Sequence, residues 1–405
     1  MNALVFLLDF PYIHQFLAGY NDYYKVVIVD RKRKIDITVL HRHYDRILIV
    51  SDIQRRDEVE KAFAGILETK QVRAVYGTYE AVVELAGYLR GKFNIPGMNY
   101  TETLQVRNKY IMKQTALKHG IATAKCKLAK SLVDVCAFIK ENRYPIIIKP
   151  VSGFGTRCTY RVNTFKDFFF FRVIKMLVRH REFIVENFID GEEYHCDSVV
   201  LNGKVMFASV GKNLFNNLDT VRNGKPKGSI AFPAYCDSDE IIREIKHFNE
   251  HLICCYDIKN AVCHMEVFVT REGKIYLGEI AARIGGSPCI GACIKNTRGL
   301  NINKAFIDVA INHYDAEAVN DRPVFTGYLA FPSKAGQLVD ISTEKDFSHL
   351  DGIKEITFLN KPGDRLMTQS SSSVRTGYII IEDTDYERLK EKLFDAFASF
   401  KLTVK

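Results

Sequence analysis

Two glutamates stand where a metal ion could be held. Glu266 lies in His264-Met265-Glu266, and Glu279 in Gly278-Glu279-Ile280-Ala281-Ala282-Arg283. The runs that carry them, residues 261–269 and 274–279, have strand composition and flank the turn Arg271-Glu272-Gly273. A hairpin there sets the two carboxylates side by side. Neighbouring carboxylates repel and are stable chiefly with a cation between them. Mg2+ (or Mn2+) suits such a pair, because it takes hard oxygen ligands and shares its shell with phosphate oxygens and water. Arg283 lies four residues past Glu279, and its planar fork fits a carboxylate or a phosphoryl oxygen bidentately. Taken alone, the same segment also reads as a hairpin with solvated acids, and His264 as a plain strand histidine.

A second group of residues suits a polyphosphate. Tyr144-Pro145-Ile146-Ile147-Ile148-Lys149 reads as a buried strand that delivers Lys149 to its end. It hands over to the small-residue loop Ser152-Gly153-Phe154-Gly155-Thr156. Such a loop exposes backbone N–H groups, and glycine lets them approach phosphate oxygens closely. Lys109, early in a helix, offers a second point charge. Downstream, Glu186-Asn187-Phe188-Ile189 ends another strand, and Glu193 opens the next one after Gly191. A carboxylate at Glu193 can accept both hydroxyls of a ribose, while backbone at 187–189 can bond an adenine edge. Singly, each of these features is equally a surface charge or an ordinary turn.

The elements that must position these groups follow from patterning. Residues 4–8, 26–29, 47–50 and 73–76 are β-branched strand candidates, with helical patterns at 57–67 and 80–89. That alternation predicts a parallel, doubly wound layer over roughly 1–100. No Gly-x-Gly-x-x-Gly follows the first strand, where Asp9-Phe10-Pro11 stands, so NAD binding is not expected there. A second unit, 101–320, begins with a helix at 108–119 stopped by Gly120 and a helix at 131–142 capped by Ser131. Strands are expected at 145–149, 158–162 and 183–186, with a helix at 165–178 between the last two. The hairpin 195–201/204–210 turns at Asn202-Gly203. Helices follow at 237–256 and 301–313. Residues 321–405 predict a small α+β lobe with strands at 326–331, 355–360 and 376–381 and a final helix at 385–400. Side-chain pockets are expected from 201–218, 229–235 and the residues after Arg283, including Gly286.

Composition excludes several classes. The chain has 405 residues, 47% hydrophobic and 26% charged, which is ordinary globular usage. Its net charge of +9 is spread out, apart from Arg31-Lys32-Arg33-Lys34. A nucleic-acid binder concentrates its charge on one face, so none is expected. No run approaches the roughly 18 to 20 apolar residues of a membrane helix. Ten cysteines without a Cys-x-x-Cys pair fit neither a zinc site nor a disulfide scaffold, and predict a reduced, cytoplasmic protein.

Together, in this order, Lys109, Lys149 with its glycine loop, Glu186 to Glu193, and Glu266/Glu279/Arg283 resemble the ATP-grasp superfamily over essentially the whole chain. Glu-x-Ala-Ala-Arg with a preceding His-x-Glu is similar to the bacterial L-amino-acid ligases, the dipeptide synthetases. The resemblance implies a pre-ATP-grasp domain, two lobes that clamp ATP, and a small C-terminal lobe. It implies phosphate contacts from Lys109 and Lys149, with closure by the loop Ser152, Gly153, Gly155 and Thr156. An adenine hinge at Glu186, Asn187, Phe188 and Ile189 and a ribose acid at Glu193 follow. Glu266 and Glu279 would be the metal ligands, and Arg283 would hold the reacting acyl group, with His264 and Gly286 toward the substrate. The implied reaction joins an amino acid to an amino acid or small amine through an acyl phosphate, with ATP and Mg2+ (or Mn2+), and a homodimer is frequent. The alternatives are a biotin-carboxylase-like or purine-pathway ligase, or a non-catalytic ATP-binding regulator. One departure stands out: many members carry Asn, a further metal ligand, where this chain has Ala281. Arg375 either reaches the site from the last lobe or is surface charge, the simpler reading.

Overall fold

The computed structural model describes residues 1–405 apart from 9–12, 33–36, 169–181, 223–224, 287, 316–318, 370 and 372–373. The first sheet contains β1 (Asn2–Leu7), β2 (Tyr23–Asp30), β3 (Arg46–Val50) and β4 (Val72–Gly77), in the order β3-β2-β1-β4. Every pairing in it is parallel. Parallel sheets are covered on both faces, and β1 shows the consequence. Leu4 and Phe6 pack into one apolar cluster, with Tyr76 and Phe306. Val5 and Leu7 pack into another, with Phe63 and Leu89. The helices Arg56–Leu67 and Glu80–Lys92 follow the pattern predicted for them.

The second sheet contains β5 (Cys126–Ala129), β6 (Ile146–Pro150), β7 (Tyr160–Val162) and β8 (Phe183–Asn187), in the order β5-β8-β6-β7. Helix Leu132–Asn142 packs against it and starts at a capping box in which Ser131 and Asp134 satisfy each other's backbone N–H groups. Helix Lys109–Lys118 is capped by the Asn108 side chain and presents Lys109 at its first position.

The remaining strands are β9 (Glu192–Leu201), β10 (Lys204–Asn213), β11 (Lys227–Ala231), β12 (Ala261–Val269), β13 (Ile275–Ala281), β14 (Phe325–Phe331), β15 (Gly336–Ile341), β16 (Ile353–Phe358), β17 (Arg365–Leu366), β18 (Gly377–Asp383) and β19 (Leu402–Val404). Eight of them form one sheet, β13-β12-β9-β10-β11-β14-β18-β16, so strands of the C-terminal segment hydrogen-bond directly onto the central sheet. The β9–β10 hairpin turns at Asn202-Gly203 with φ of 51° and 78°, the pair of positive values that a tight hairpin needs.

Several elements differ from expectation, and three of them have a local cause. The helix expected at 237–256 begins at Glu240, after a short 3-10 turn at Ala234–Ser238, because Asp239 is extended and serves as its N-cap. Strand β11 was hidden by Pro226 and Gly228. Pro226 sits just before the strand, where no ladder N–H is required. Helix Pro288–Arg298 was hidden by Gly285 and Gly286, yet its proline stands at the first helical position, where the missing N–H costs nothing. The helix expected at 165–178 is observed as Phe165–Phe168, and the rest lies outside the described residues.

Candidate functional site

A cavity of about 470 Å³ opens between the second sheet and the central sheet. That is the size of a small-molecule site. It is lined by Lys109, Lys149, Gly153, Gly155, Thr156, Glu186, Asn187, Phe188, Ile189, Glu193, His264, Glu266, Glu279, Arg283 and Gly286. Of the residues singled out from the sequence, Ser152 alone is not in the lining. It is exposed, and its carbonyl is turned to accept from Arg107 Nη2 at 2.7 Å. Residues 229–235 do not line the cavity either, whereas Asn213, Asn216, Asn217 and Leu218 do.

β12 and β13 set Glu266 and Glu279 directly opposite each other across an antiparallel ladder. Their side chains keep 33% and 22% of their surface open, while Glu80 and Glu186 at the same cavity keep 4% and 7%. The adjacent pair therefore presents oxygen lone pairs to the cavity, as a hard divalent cation requires, and the donor set fits one. Ala281, buried in β13, adds no side-chain oxygen.

The cations are held by acids. Lys109 Nζ donates to Glu279 at 2.8 Å and to the Gly153 carbonyl at 3.0 Å. Lys149 and Lys113 lie on either side of Glu186, at 2.6 and 3.1 Å. Burial alone would raise the Glu186 carboxyl, but these two ammonium groups hold it below its ordinary value. The same acid keeps Lys149 charged against the cost of burial. The carboxylate of Glu186 is thus engaged by lysines, and any hinge contact from this residue falls to its backbone.

Arg283 reaches a partner the sequence did not suggest. Its Nε donates to Glu80, the first residue of helix Glu80–Lys92 in the N-terminal layer, which also pairs with Arg107 at 3.3 Å. A glutamate in a first helical turn is ordinary complementarity to the helix dipole, so nothing in the sequence marked Glu80. The glycine loop is fixed from the same side. Arg107 and Lys109 bind its carbonyls, and Phe154 packs edge-on against Tyr79 at 5.3 Å.

A buried polar relay stands behind Glu266. The Asp197 carboxylate accepts from Nδ1 of His195 at 2.7 Å and from Nδ1 of His264 at 2.9 Å. His264 Nε2 lies 3.5 Å from Glu266, and the Ser229 hydroxyl 2.7 Å from His195 Nε2. Burial lowers the His264 imidazole, but Asp197 carries it up to about 9. Burial likewise raises Glu266, yet His264 holds it at about 2. Glu193 goes the other way. Burial and the Glu266 charge push it up to about 8, against two hydrogen bonds from Asn217. The relay needs two glycines: a Cβ on Gly211 would lie 2.4 Å from His195 Nε2, and one on Gly285 would lie 2.8 Å from Asp197 Oδ1. His195, Asp197 and His264 lie close enough to one another to bind a metal, but the carboxylate oxygens already accept from both imidazoles. Polar residues at alternate positions of a buried strand, His195 and Asp197, were the legible signal.

Two more lining residues complete the far end. Lys227 starts β11, and Arg375 enters from the C-terminal segment and faces the cavity, although surface charge was the simpler of its two expected placements. Among the described residues, no helix is long and apolar enough to cross a membrane.

Comparison with known proteins agrees with this geometry. Residues 142–291 match the ATP-grasp domain family, and residues 329–405 match L-amino acid ligase C-terminal domain 2. The chain is 25% identical over 340 residues to the L-arginine-specific L-amino acid ligase of Bacillus subtilis, covering 82% of this chain and 81% of that protein. It is 23% identical over 321 residues to dapdiamide A synthase of Enterobacter agglomerans, covering 74% and 72%. The crystal structure of L-amino acid ligase from Bacillus licheniformis shares the fold, with a TM-score of 0.82 at 17% identity, over 100% of this chain and 99% of that one.

Proposed function

We infer that this chain, an ATP-grasp ligase, joins the carboxyl group of one amino acid to the amino group of another amino acid or small amine. A carboxylate oxygen attacks the γ-phosphorus of ATP, the β–γ bridging P–O bond breaks, and ADP leaves. The amine nitrogen then attacks the carbonyl carbon of the acyl phosphate, loses a proton, and expels phosphate as the C–O bond breaks. No protein nucleophile is needed, so catalysis is mostly positioning and charge neutralisation.

The observation that carries this reading is the opposed pair Glu266/Glu279, sharing one cavity with Lys109, Lys149 and Arg283. Glu266 and Glu279 would hold Mg2+, which when bound neutralises phosphate oxygens. Lys109 and Lys149 would turn from Glu279 and Glu186 toward the triphosphate. Gly153, Gly155 and Thr156 would cover it and exclude water, which otherwise hydrolyses the acyl phosphate. Residues 187–189 would take the adenine edge and Glu193 the ribose. Arg283, held in line by Glu80, would orient the reacting carboxylate and steady the tetrahedral oxyanion. His264 is better read as a positioning residue that orients Glu266 from the Asp197 relay.

The test is phosphate release with ATP, Mg2+ and all pairs of common amino acids, with mass spectrometry of the products. The expected result is ADP, phosphate and a dipeptide for at least one pair. Silence across all pairs rejects the dipeptide product.

A further inference from the structure

Among the described residues, eight lysine and arginine side chains line the cavity, and most of them are accounted for. Lys109, Lys113, Lys149 and Arg283 pair with carboxylates. Arg157 and Arg161 lie over the rings of Phe154 and Phe188 at 4.8 and 3.8 Å. Lys227 and Arg375 differ. Neither has a carboxylate at ion-pair distance among the described residues, and Arg375 Nε is buried without a hydrogen-bond partner.

The fold brings these two together deliberately. Lys227 on β11 is opposite Ala330 on β14, and Ala330 is opposite Tyr378 on β18. Arg375 precedes β18 and holds its guanidinium 5.8 Å from the Tyr378 ring. Both side chains line the same cavity, beside Tyr328 and Ile290, close enough for their charges to act on each other. Their charges repel, and burial together with Arg375 lowers the Lys227 ammonium. The acids that face Lys227 are Glu266 and Glu193. Glu193 is held by Asn217, and Glu266 lies beside His264. Two like charges brought together in a largely desolvated wall are unfavourable unless an anion joins them.

We propose that Lys227 and Arg375 form a carboxylate subsite for a second, unreacting carboxylate of the substrate pair, where the C-terminal segment meets the cavity. The inference rests on the ligase reading and deepens it. The carboxylate comes either from the α-carboxyl group of the amine-donating amino acid or from an acidic side chain.

Calorimetric titration distinguishes these sources without turnover. The enzyme is loaded with Mg2+ and a non-hydrolysable ATP analogue and titrated with the common amino acids and with their α-amides. Wild type, Lys227→Gln, Arg375→Gln and Arg375→Lys are compared. At least one amino acid is expected to bind at least tenfold more tightly than its amide. Preference for the free α-carboxyl group assigns the subsite to it, and preference for Glu over Gln or Asp over Asn assigns it to the side chain. Lys227→Gln and Arg375→Gln should erase the difference, Arg375→Lys should retain part of it, and affinity for the analogue should stay within twofold, which reports intact folding. Equal binding of acid and amide by wild type, no amino-acid binding, or a difference that survives both Gln variants overturns the subsite while leaving ATP-dependent ligation standing. Failure of the analogue itself to bind overturns the ligase reading, and the subsite with it.

Discussion

The two ends of the cavity handle charge in opposite ways. Toward the glycine loop, Lys109, Lys113, Lys149 and Arg283 each rest against a carboxylate, and those contacts tie three parts of the fold together. Toward the C-terminal segment, Lys227 and Arg375 rest against none among the described residues. A paired buried cation stabilises the resting protein and, under the proposed function, would have to exchange partners when a triphosphate arrives. An unpaired one destabilises the resting protein and is ready for an anion. The first arrangement couples binding to folding, whereas the second separates them, so substitutions at the two ends should read out differently.

The largest effect is expected at Glu186. Glu186→Gln leaves two buried ammonium groups without their carboxylate and should cost about 3–5 kcal/mol in urea unfolding, as for other broken buried pairs. A loss below about 1 kcal/mol would show that the paired end carries no structural weight, and the contrast between the ends would collapse. Next come Glu279→Ala and Arg283→Ala. Each should lower the ligation rate roughly 100- to 1,000-fold, or about 3–4 kcal/mol, with circular dichroism unchanged. Full activity in either variant refutes the role assigned to that residue.

Much of this arrangement was legible before any coordinates. Short β-branched apolar runs and the Asn202-Gly203 turn placed many of the strands, and the facing of Glu266 and Glu279 followed from hairpin geometry alone. What stayed hidden depends on contacts between segments distant in sequence. Glu80 looked like a dipole-compatible helix start, and only packing of the N-terminal layer on the cavity reveals it as the partner of Arg283, 203 residues away. Lys227 lies between Pro226 and Gly228, neither of which favours a strand, so nothing in the sequence marked it. For Arg375 the sequence left cavity and surface both open, because nothing local shows that β18 joins the central sheet. Lys113, by contrast, could have been found: it lies one helical turn from Lys109, a spacing that shares a face.

The relay beside Glu266 gives a pH-dependent check. His264 is held at about 9 in the folded chain, above an unfolded value near 6.5. The folded state therefore binds the proton more tightly. Its stabilisation is complete below about pH 6.5 and is lost as pH rises through about 9, an effect of about 2–3 kcal/mol. Unfolding free energies in the presence of a chelator should fall across that window, and His264→Gln should flatten the fall. A profile as steep in the variant as in wild type would remove His264 as its source.

The smallest effect has the opposite sign and separates the two ends most sharply. Burial and Arg375 lower the Lys227 ammonium, so the folded state holds this proton less tightly than the unfolded chain does. At neutral pH, below both values, the whole penalty is present, and it is relieved only as pH rises through the lowered value toward 10.5. Lys227→Met keeps the apolar stem and deletes the charge. It should therefore raise stability at pH 7, by about 0.5–2 kcal/mol, while weakening substrate binding, as when a functional charge is kept at the expense of stability. Urea unfolding of the variant decides this. A destabilised Lys227→Met protein would mean that the ammonium already has a structural partner, and the far end would then be built like the near one.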